Sequence, residues 1–310
     1  MRQLFFLFAF LLFAGEHFAE VKGMCVGPIR VDDDQPDPTY IMAPWGGGVF
    51  ASGAMVGVKW NNRAYFTSKC QDNFDPTVFK PLYLLDKTLN MTVDVSTINC
   101  GCDASLYLVA MPAYNQYGKP DPTRCNDYYC DANEVCGIFC PEMDIMEANR
   151  EALAITPHRC DAPQGGYYNS CDTGGCGQNL KAFGHHAYGY GNEYQINTRY
   201  PFNVSISFQT KGGYLHKIVT KVSQNIHCVI VTHDNASCGK GYLESMTGAF
   251  ANGLVLTTSH WSGDAGSDMS WLDVPPCNPD EACNRGGTAY FSDLALYKTS
   301  MYLPEPEKKE

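Results

Sequence analysis

The chain has 310 residues, of which 45% are apolar and 18% are charged, so it can bury a large core and does not have the composition of a disordered protein. Its 22 basic and 33 acidic residues give a net charge of −11, and the longest basic run is the terminal pair Lys308-Lys309. Without a basic surface that could follow phosphates, nucleic acid is excluded as a partner.

The first residues predict a secretory signal peptide at 1–19, with cleavage between residues 15 and 24. Met1-Arg2 supplies the positive charge, and an apolar run follows from Leu4 to Ala14. As a helix this run would span about 16 Å, which is too short for a bilayer core of about 30 Å. We therefore expect a secreted, extracellular protein that does not associate with membranes, and a charged tail at residues 304–310.

The cysteines and the sequons suit an oxidising, extracellular compartment. Fifteen cysteines follow the signal peptide, and the odd count leaves at least one without an intramolecular partner. Four of them stand close enough to suggest a zinc cluster: Cys125, Cys130, Cys136 and Cys140. Their spacing matches no common zinc knuckle, so we predict no metal and no other cofactor. Three sequons are compatible with glycosylation: Asn90, Asn203 and Asn235.

The pattern from residue 24 to residue 303 predicts a single β-rich domain. Short runs rich in Val, Ile, Thr and aromatic residues recur at Met91 to Val95, Leu106 to Met111, Phe202 to Phe208, Ile218 to Val222, His227 to Val231, Leu254 to Thr258 and Thr288 to Tyr297. Helical periodicity over more than ten residues is absent, and residues 20–60 are difficult to interpret. We predict an all-β fold, a jelly-roll sandwich of two antiparallel sheets with a concave substrate-binding face.

Three carboxylates lie within six residues, at Glu142, Asp144 and Glu147. On a regular strand the first two share a face and Glu147 points the other way. One extra residue between Asp144 and Glu147, a β-bulge, would bring all three to one face. The two glutamate carboxyl groups would then lie about 5 to 6 Å apart, the separation found in retaining glycosidases. Asp144 would hydrogen-bond the nucleophile and help to separate the two pKa values. An acidic edge strand or a calcium loop would also explain the three carboxylates.

Two runs around these carboxylates resemble the signature of glycoside hydrolase family 7. They read Glu142-Met143-Asp144-Ile145-Met146-Glu147-Ala148-Asn149 and Thr156-Pro157-His158-Arg159-Cys160. Further similar runs are Val93-Asp94-Val95-Ser96, Leu106-Tyr107-Leu108-Val109, Cys171-Asp172-Thr173-Gly174-Gly175-Cys176, Asn252-Gly253-Leu254-Val255-Leu256 and Trp271-Leu272-Asp273. The resemblance, which covers residues 80 to 300, implies a secreted fungal-type enzyme that acts on β-1,4-glucan.

The same resemblance implies the roles of four residues. Glu142 would be the nucleophile, Asp144 its supporting carboxylate and Glu147 the acid/base, with His158 beside the pair. It also implies disulfides around the catalytic strand. These are Cys160 with Cys171, and Cys140 with either Cys125 or Cys130.

The chain also departs from the family pattern. Met146 replaces a tryptophan and Phe139 replaces a cysteine. The stretch between Tyr114 and Cys140 is much shorter than in family members that enclose the substrate in a tunnel. We therefore expect an open groove and endo-acting hydrolysis.

The candidate substrate contacts are His158, Trp271, Trp261, Tyr107 and Asp103. An exposed aromatic ring offers an apolar surface to the C–H groups of a sugar face. Since Leu106 and Leu108 would face the core, Asp103 and Tyr107 would face the concave side. Trp45 and Trp60 have no predicted role.

Together these features predict a monomeric, retaining β-1,4-glucanase that uses a double-displacement mechanism on cellulose or a related β-glucan. A retaining enzyme for β-1,3 or mixed-linkage glucan, or a transglycosylase, would use the same carboxylates, because the linkage is selected by the shape of the groove. A non-catalytic glucan-binding sandwich would keep the aromatic residues but would not need three aligned carboxylates. A panel of defined β-glucan oligosaccharides would distinguish these alternatives.

Overall fold

The computed structural model describes residues 25–32, 37–263, 269–278 and 281–299. The signal peptide predicted at 1–19 and the charged tail predicted at 304–310 lie outside the described residues. Within the described ranges no helix is both long enough and apolar enough to cross a membrane.

Two large antiparallel sheets make up the described part of the chain. The strands of the first sheet are β1 (Cys25–Ile29), β2 (Thr39–Met42), β5 (Asn62–Thr67), β6 (Pro81–Leu82), β8 (Asp103–Val109), β9 (Glu142–Ala148), β10 (Leu153–His158), β11 (Gln178–Asn179) and β17 (Leu254–Trp261). Their spatial order is β1-β2-β5-β17-β8-β9-β10-β11, and β6 also pairs with β17. Strand β9 is therefore an inner strand, the third from one edge, with β8 and β10 on either side.

The second sheet contains seven strands within the described ranges. They are β3 (Val49–Ser52), β4 (Met55–Lys59), β7 (Lys87–Asp94), β14 (Phe202–Lys211), β15 (Tyr214–Gln224), β16 (His227–His233) and β18 (Thr288–Lys298). Their order is β16-β15-β14-β7-β18-β4-β3. The remaining elements are a parallel pair, β12 (Tyr188–Gly189) and β13 (Ile196–Asn197), a 3-10 helix (Leu180–Phe183) and helix α1 (Tyr242–Asn252).

The main core lies between the two sheets because alternate residues of their strands are apolar. Leu89, Met91 and Val93 of β7 are buried together with Leu106 and Leu108 of β8. Each such side chain contributes about 1.5 to 3 kcal/mol when it is fully buried. The period-2 pattern that predicted these strands therefore reflects a shared apolar interface.

A second apolar cluster lies on the other face of the first sheet. Tyr65 of β5, Val109 of β8 and Val255 of β17 pack there against Tyr129 and Ile138. These two residues belong to the segment between β8 and β9. That segment is consequently packed onto the outer face of the sheet.

Each of the seven strands predicted from residue patterns is present, whereas one element contradicts the sequence analysis. Helix α1 has eleven residues, so the expectation of no helix longer than ten residues is wrong. Its buried residues include Leu243, Met246 and Phe250, at helical spacing. Ser245 and Gly248 interrupt them with low helix propensity, so tertiary packing must supply much of the helix's stability. Within the stretch 20–60, which was difficult to interpret, the described residues 25–32 and 37–60 form β1 to β4.

Seven disulfides pair fourteen of the fifteen cysteines. They join Cys25 to Cys70, Cys100 to Cys277, Cys102 to Cys283, Cys125 to Cys136, Cys130 to Cys140, Cys160 to Cys171, and Cys176 to Cys238. Of the two partners considered for Cys140, the structure contains Cys130. The odd cysteine is Cys228, which is exposed on β16.

This pairing predicts the outcome of thiol mapping. An alkylating reagent applied to the folded, unreduced protein should modify Cys228 alone, since the other thiols are oxidised. Peptide mapping by mass spectrometry should recover Cys160 bound to Cys171, and all cysteines should react after reduction in denaturant. Alkylated Cys160 from the folded protein would contradict the prediction.

The three predicted sequons are half-buried. Asn90 lies on β7 and Asn203 on β14, where its Nδ2 donates to the carbonyl of Met91 at 3.0 Å. The Nδ2 of Asn235 donates to Oε1 of Glu244 at 3.2 Å. Glycosylation at these positions stays a prediction.

The buried histidine His260 makes stability depend on pH. It is fully buried on β17, and burial lowers its pKa to about 4, below the usual value of about 6.5. The unfolded chain binds the proton of His260 more tightly than the folded chain does. The contribution of His260 to the free energy of unfolding is therefore complete above pH ~6.5 and is lost as the pH falls toward 4. The variant His260→Leu has no side chain at this position that binds a proton, so its free energy of unfolding does not fall for this reason. Urea denaturation should show wild type losing stability relative to the variant by about 1 kcal/mol per pH unit between pH 6 and 4.5. A constant difference would contradict this account.

Candidate active site

Strand β9 carries the three predicted carboxylates, and its pairing slips by one residue in the middle of the strand. Met146 pairs with Leu106 of β8. The next residue of β8, Tyr107, pairs with Asp144, so one residue of β9 is left over. Strand β10 shows the same slip on the other side. The β-bulge predicted between Asp144 and Glu147 is therefore confirmed.

The bulge divides the side chains of β9 between two environments. Met143, Ile145 and Met146 are buried in the main core. Glu142, Asp144 and Glu147 all border the groove on the opposite face of the sheet. Because two consecutive residues, Ile145 and Met146, point into the core, the alternation resumes with Glu147 on the groove side.

The groove consists of two cavities that meet at these carboxylates. One, of about 540 Å³, lies over β9 to β11 and is bordered by Thr156, His158 and Gln178. The other, of about 400 Å³, lies over β5, β17 and β8 and is bordered by Arg63 and Ser105. The carboxylates thus occupy the middle of a groove that runs across the strands. The predicted separation of about 5 to 6 Å between the glutamate carboxyl groups stays a prediction.

Glu142 is buried at the beginning of β9, where its Oε2 accepts a hydrogen bond from the backbone N–H of Ala132 at 2.9 Å. Burial raises the pKa of Glu142 well above its usual value, and the charges of Asp144 and Asp131 raise it further. The positive charge of His158 and the Ala132 amide oppose this rise. These two groups favour the ionised form that a nucleophile requires.

Asp144 forms an ion pair with His158, its Oδ2 lying 3.0 Å from Nε2. Burial alone would lower the pKa of His158, but the hydrogen bond to Asp144 and the charges of Asp144 and Glu142 raise it to about 9. Among the described residues no hydrogen bond joins Asp144 to Glu142, contrary to the prediction. Asp144 instead accepts a hydrogen bond from His158 Nε2.

Glu147 is half-buried at the other end of the cluster. Burial raises the pKa of Glu147 well above its usual value, and the charges of Asp144, Asp103 and Glu142 raise it further. Glu142 has an amide donor and a cationic neighbour that favour ionisation, and neither acts on Glu147 in the described part of the chain. Of the two glutamates, only Glu142 thus has neighbours that lower its raised pKa.

Asp103 is fully buried and borders neither cavity. Its Oδ2 accepts a hydrogen bond from the hydroxyl of Ser105. Burial raises the pKa of Asp103 to about 8, opposed by Ser105 and assisted by the charge of Asp144. Asp103 does face the side predicted for it. Because it is closed off from the groove, its position does not support the predicted sugar contact.

Trp261 and Trp271 form an aromatic wall in the larger cavity. Their rings stack with centroids 6.4 Å apart and planes 19° apart, and they are 37% and 42% exposed. The segment of Trp271 is anchored by Asp273, whose carboxylate accepts from Asn149 Nδ2 and from the amide of Gly101, each at 2.7 Å. Both rings border the cavity and are partly exposed, and their contact with a sugar stays a prediction.

Tyr107 borders the smaller cavity, but its ring is almost entirely buried. Its hydroxyl lies 3.1 Å from the hydroxyl of Tyr129. The ring of Tyr129 lies 3.6 Å from the guanidinium of Arg63, which donates to Asp127 at 3.2 Å. Tyr107 thus belongs to a buried polar network under the groove and presents little ring surface for stacking.

Trp45 is a groove residue that sequence reasoning did not find. It is 59% exposed, borders the smaller cavity, and its ring lies 5.3 Å from the guanidinium of Arg63. Trp45 precedes three glycines in a stretch without strand periodicity, so the sequence did not indicate which way its side chain points. Trp60 instead donates its Nε1–H to Ser262 Oγ at 3.1 Å.

The cysteines suggested as a zinc cluster are oxidised in pairs. Three groups among the described residues have side-chain atoms close enough to hold a metal ion, and each contains both cysteines of a disulfide: Cys102 and Cys283 with His260, Cys100 and Cys277 with Asp273, and Cys125 and Cys136 with Asp127. A disulfide offers no thiolate, so these groups lack the donors that zinc requires.

Comparison with known proteins finds similarity to one family of glycoside hydrolases. Residues 116–237 match the model of Glycosyl hydrolase family 7. The chain is 32% identical over 268 residues to the probable endo-beta-1,4-glucanase celB of Aspergillus terreus, covering 71% of this chain and 62% of that protein. It is 31% identical over 245 residues to endoglucanase EG-1 of Hypocrea jecorina, covering 64% of this chain and 51% of that protein. The chain therefore spans less than two thirds of the length of these relatives.

Solved structures share the fold. The native endocellulase EGI of Humicola insolens superposes with a TM-score of 0.64 at 24% identity, covering 82% of this chain and 79% of that one. A family 7 cellobiohydrolase from Daphnia pulex gives a TM-score of 0.64 at 20% identity, covering 82% and 81%. At these identities the likeness concerns the fold alone. It confirms the predicted all-β jelly-roll sandwich.

Proposed function

The chain belongs to glycosyl hydrolase family 7, and we propose that it is a retaining, endo-acting β-1,4-glucanase for cellulose or a related β-glucan. The observation that carries the proposal is the bulge in β9, which brings Glu142, Asp144 and Glu147 to the middle of one groove. The names of the relatives, endo-beta-1,4-glucanase and endoglucanase, support the substrate class.

The first chemical step divides the work between the two glutamates. The Glu142 carboxylate attacks the anomeric carbon, while Glu147 gives its proton to the glycosidic oxygen. A glycosyl–enzyme ester forms and the shortened glucan leaves as an alcohol. The environments described above fit this division, because Glu142 has partners that favour its charge and Glu147 does not.

The second step releases the sugar. Ionised Glu147 takes a proton from water, the resulting hydroxide attacks the anomeric carbon, and the ester to Glu142 breaks. Two displacements at one carbon restore its original configuration. The ion pair of Asp144 with His158 keeps a compensated charge beside Glu142 during both steps.

An open groove supports the endo mode. The segment between β8 and β9 is stapled by Cys125–Cys136 and Cys130–Cys140. Its residues Ala113 and Ile138 are buried against the outer face of the first sheet. Since this segment packs down onto the sheet, it leaves room for the middle of a glucan chain to enter.

The test compares the loss of viscosity with the release of reducing sugar on carboxymethyl cellulose. Endo cleavage should reduce viscosity sharply after few cuts. Slow viscosity loss with cellobiose dominating from the earliest time points would contradict the endo mode. Activity only on β-1,3 or mixed-linkage oligosaccharides would contradict the linkage, and binding without hydrolysis would contradict catalysis. NMR of the first product should show retention at the anomeric carbon, and inversion would exclude the double displacement.

We also propose that the enzyme acts outside the cell. Fourteen of its fifteen cysteines are in disulfides, which form and persist in oxidising compartments. Fractionation of the producing cells should place the protein in the medium. Recovery of a reduced protein from the cell interior would contradict this location.

Trp45 should affect long substrates only. It rests on Arg63 of β5, which is separated from β9 by β17 and β8, a distance of roughly 14 Å at about 4.8 Å per strand. A ring that far from the carboxylates can contact only sugars several units from the cleaved bond. Trp45→Ala should therefore raise KM for soluble glucan about 3- to 10-fold and leave KM for an aryl cellobioside unchanged. The matched control is Tyr117→Ala, an exposed aromatic residue outside both cavities. Equal effects on both substrates would contradict the prediction.

A further inference from the structure

A short segment, Cys171–Cys176, folds over His158, and we call it the histidine clamp. The carbonyl of Asp172 accepts a hydrogen bond from His158 Nδ1 at 2.8 Å. Gly175 lies so close to the ring that a Cβ there would come within 2.7 Å of it, and its φ of +60° is one that favours glycine. The clamp thus fixes both the position of the ring and the partner of Nδ1.

The clamp is covalently fixed at both ends. Cys171 is bonded to Cys160, two residues after His158. Cys176 is bonded to Cys238, shortly before helix α1, and its amide donates to the carbonyl of Pro157 at 3.0 Å. The clamp therefore joins the catalytic sheet to α1.

Tyr242, the first residue of α1, supports the clamp from behind. Its buried hydroxyl lies 3.0 Å from Asp172 Oδ2 and 3.1 Å from the carbonyl of Pro157. The other oxygen of Asp172 accepts from the amide of Gly175 at 3.2 Å. The Arg159 guanidinium lies 4.8 Å from the Tyr242 ring. The Asp172 side chain is thus held from two directions while its backbone carbonyl faces His158.

These contacts determine which protons His158 carries. A carbonyl oxygen can only accept, so the hydrogen bond to Asp172 requires a proton on Nδ1. Nε2 lies 3.0 Å from Asp144 Oδ2. Burial lowers the pKa of His158, but the contact with Asp144 raises it to about 9, so Nε2 also carries a proton at neutral pH. Both nitrogens therefore donate, and the ring is held as the imidazolium.

We propose that Tyr242 is a positioning residue, which holds the Asp172 carbonyl against His158 Nδ1 and thereby keeps His158 charged beside Asp144. The kinetic part of this inference rests on the proposed function, whereas the protonation of His158 does not. Asp144 and Glu142 face His158 from β9, Asp172 and Tyr242 support it from the clamp and α1, and Arg159 follows it in the chain. Thr173 and Gly174 of the clamp border the groove as well, so the clamp links this support to the substrate.

The experiment follows the ring nitrogens of His158 by NMR. Long-range ¹H–¹⁵N spectra of histidine-labelled protein are recorded against pH for wild type, for Tyr242→Phe and for Tyr200→Phe. The last is a matched control at an exposed tyrosine outside the clamp. The signals of His158 are identified by their disappearance in His158→Gln. Melting temperatures and kinetics on an aryl cellobioside are measured in parallel.

The expected result in Tyr242→Phe is a lower His158 pKa, by about half a unit to one unit, with the control unchanged. The kcat should fall about 3- to 10-fold while KM stays within twofold. An unchanged His158 pKa with only a lower melting temperature would overturn the proposal, since Tyr242 would then be merely structural. If Tyr242→Phe does not fold, the wild-type spectra provide the test. A neutral His158 ring that is protonated at Nε2 alone at pH 7 also overturns the proposal. A lowered His158 pKa in a protein that hydrolyses no glucan would support the inference while contradicting the proposed function.

Discussion

Glu142→Gln is expected to reduce kcat on an aryl cellobioside by at least about 10³-fold. The amide of glutamine has nearly the shape of the carboxylate and can still accept from the Ala132 amide, but it cannot form the glycosyl ester. Because a buried carboxylate with a raised pKa is replaced by a neutral group, folding should not suffer. Steady-state kinetics and the melting temperature are the measurements.

The matched control is Glu134→Gln, which changes an exposed glutamate in the segment that packs beside the groove. It should leave kcat within twofold. Binding of cellobiose to Glu142→Gln, measured by calorimetry, should remain close to that of wild type, since the change affects chemistry more than the groove. More than a tenth of wild-type activity in pure Glu142→Gln would show that another group is the nucleophile.

Glu147→Ala should separate the two chemical steps. Hydrolysis of unactivated glucan should fall by about 10²- to 10⁴-fold, because the leaving oxygen receives no proton. An aryl glycoside with a good leaving group needs no proton, so the ester to Glu142 still forms and then persists. Added azide should attack this ester without base assistance, restoring turnover and giving a β-glycosyl azide of retained configuration.

The product decides the assignment of Glu147. Detection of the β-glycosyl azide by mass spectrometry and NMR supports an acid/base role, and azide should have no effect on Glu134→Ala. If azide neither accelerates Glu147→Ala nor appears in its product, the proton is handled by another group.

The bulge in β9 could be predicted because the residue types allow few alternatives. A regular strand would place Glu147 among Met143 and Ile145 in an apolar core, where an unpaired carboxylate is costly. One extra residue removes the conflict, and the structure contains it between Asp144 and Glu147. The bulge was therefore predictable because a regular strand would have placed a carboxylate in the apolar core.

Other features depend on contacts that leave no local pattern in the sequence. From the sequence, Cys125 and Cys130 were both possible partners of Cys140. The observed pairs, Cys130 with Cys140 and Cys125 with Cys136, follow from how the segment folds. The acceptor for His158 Nδ1 is a backbone carbonyl, which any residue at position 172 would possess. Arg63 and Trp45 stand in a short-stranded, glycine-rich stretch, and only the assembled sheet brings them to the groove.

The disulfides Cys100–Cys277 and Cys102–Cys283 join residues that are 177 and 181 positions apart. A protease that cuts the backbone once anywhere between positions 102 and 277 leaves two pieces that still share these bonds. Such a nicked molecule migrates as one band on a non-reducing gel and separates only when a reductant is added. Between its outer cysteines the protein can thus lose a peptide bond in any surface loop without losing half of its chain.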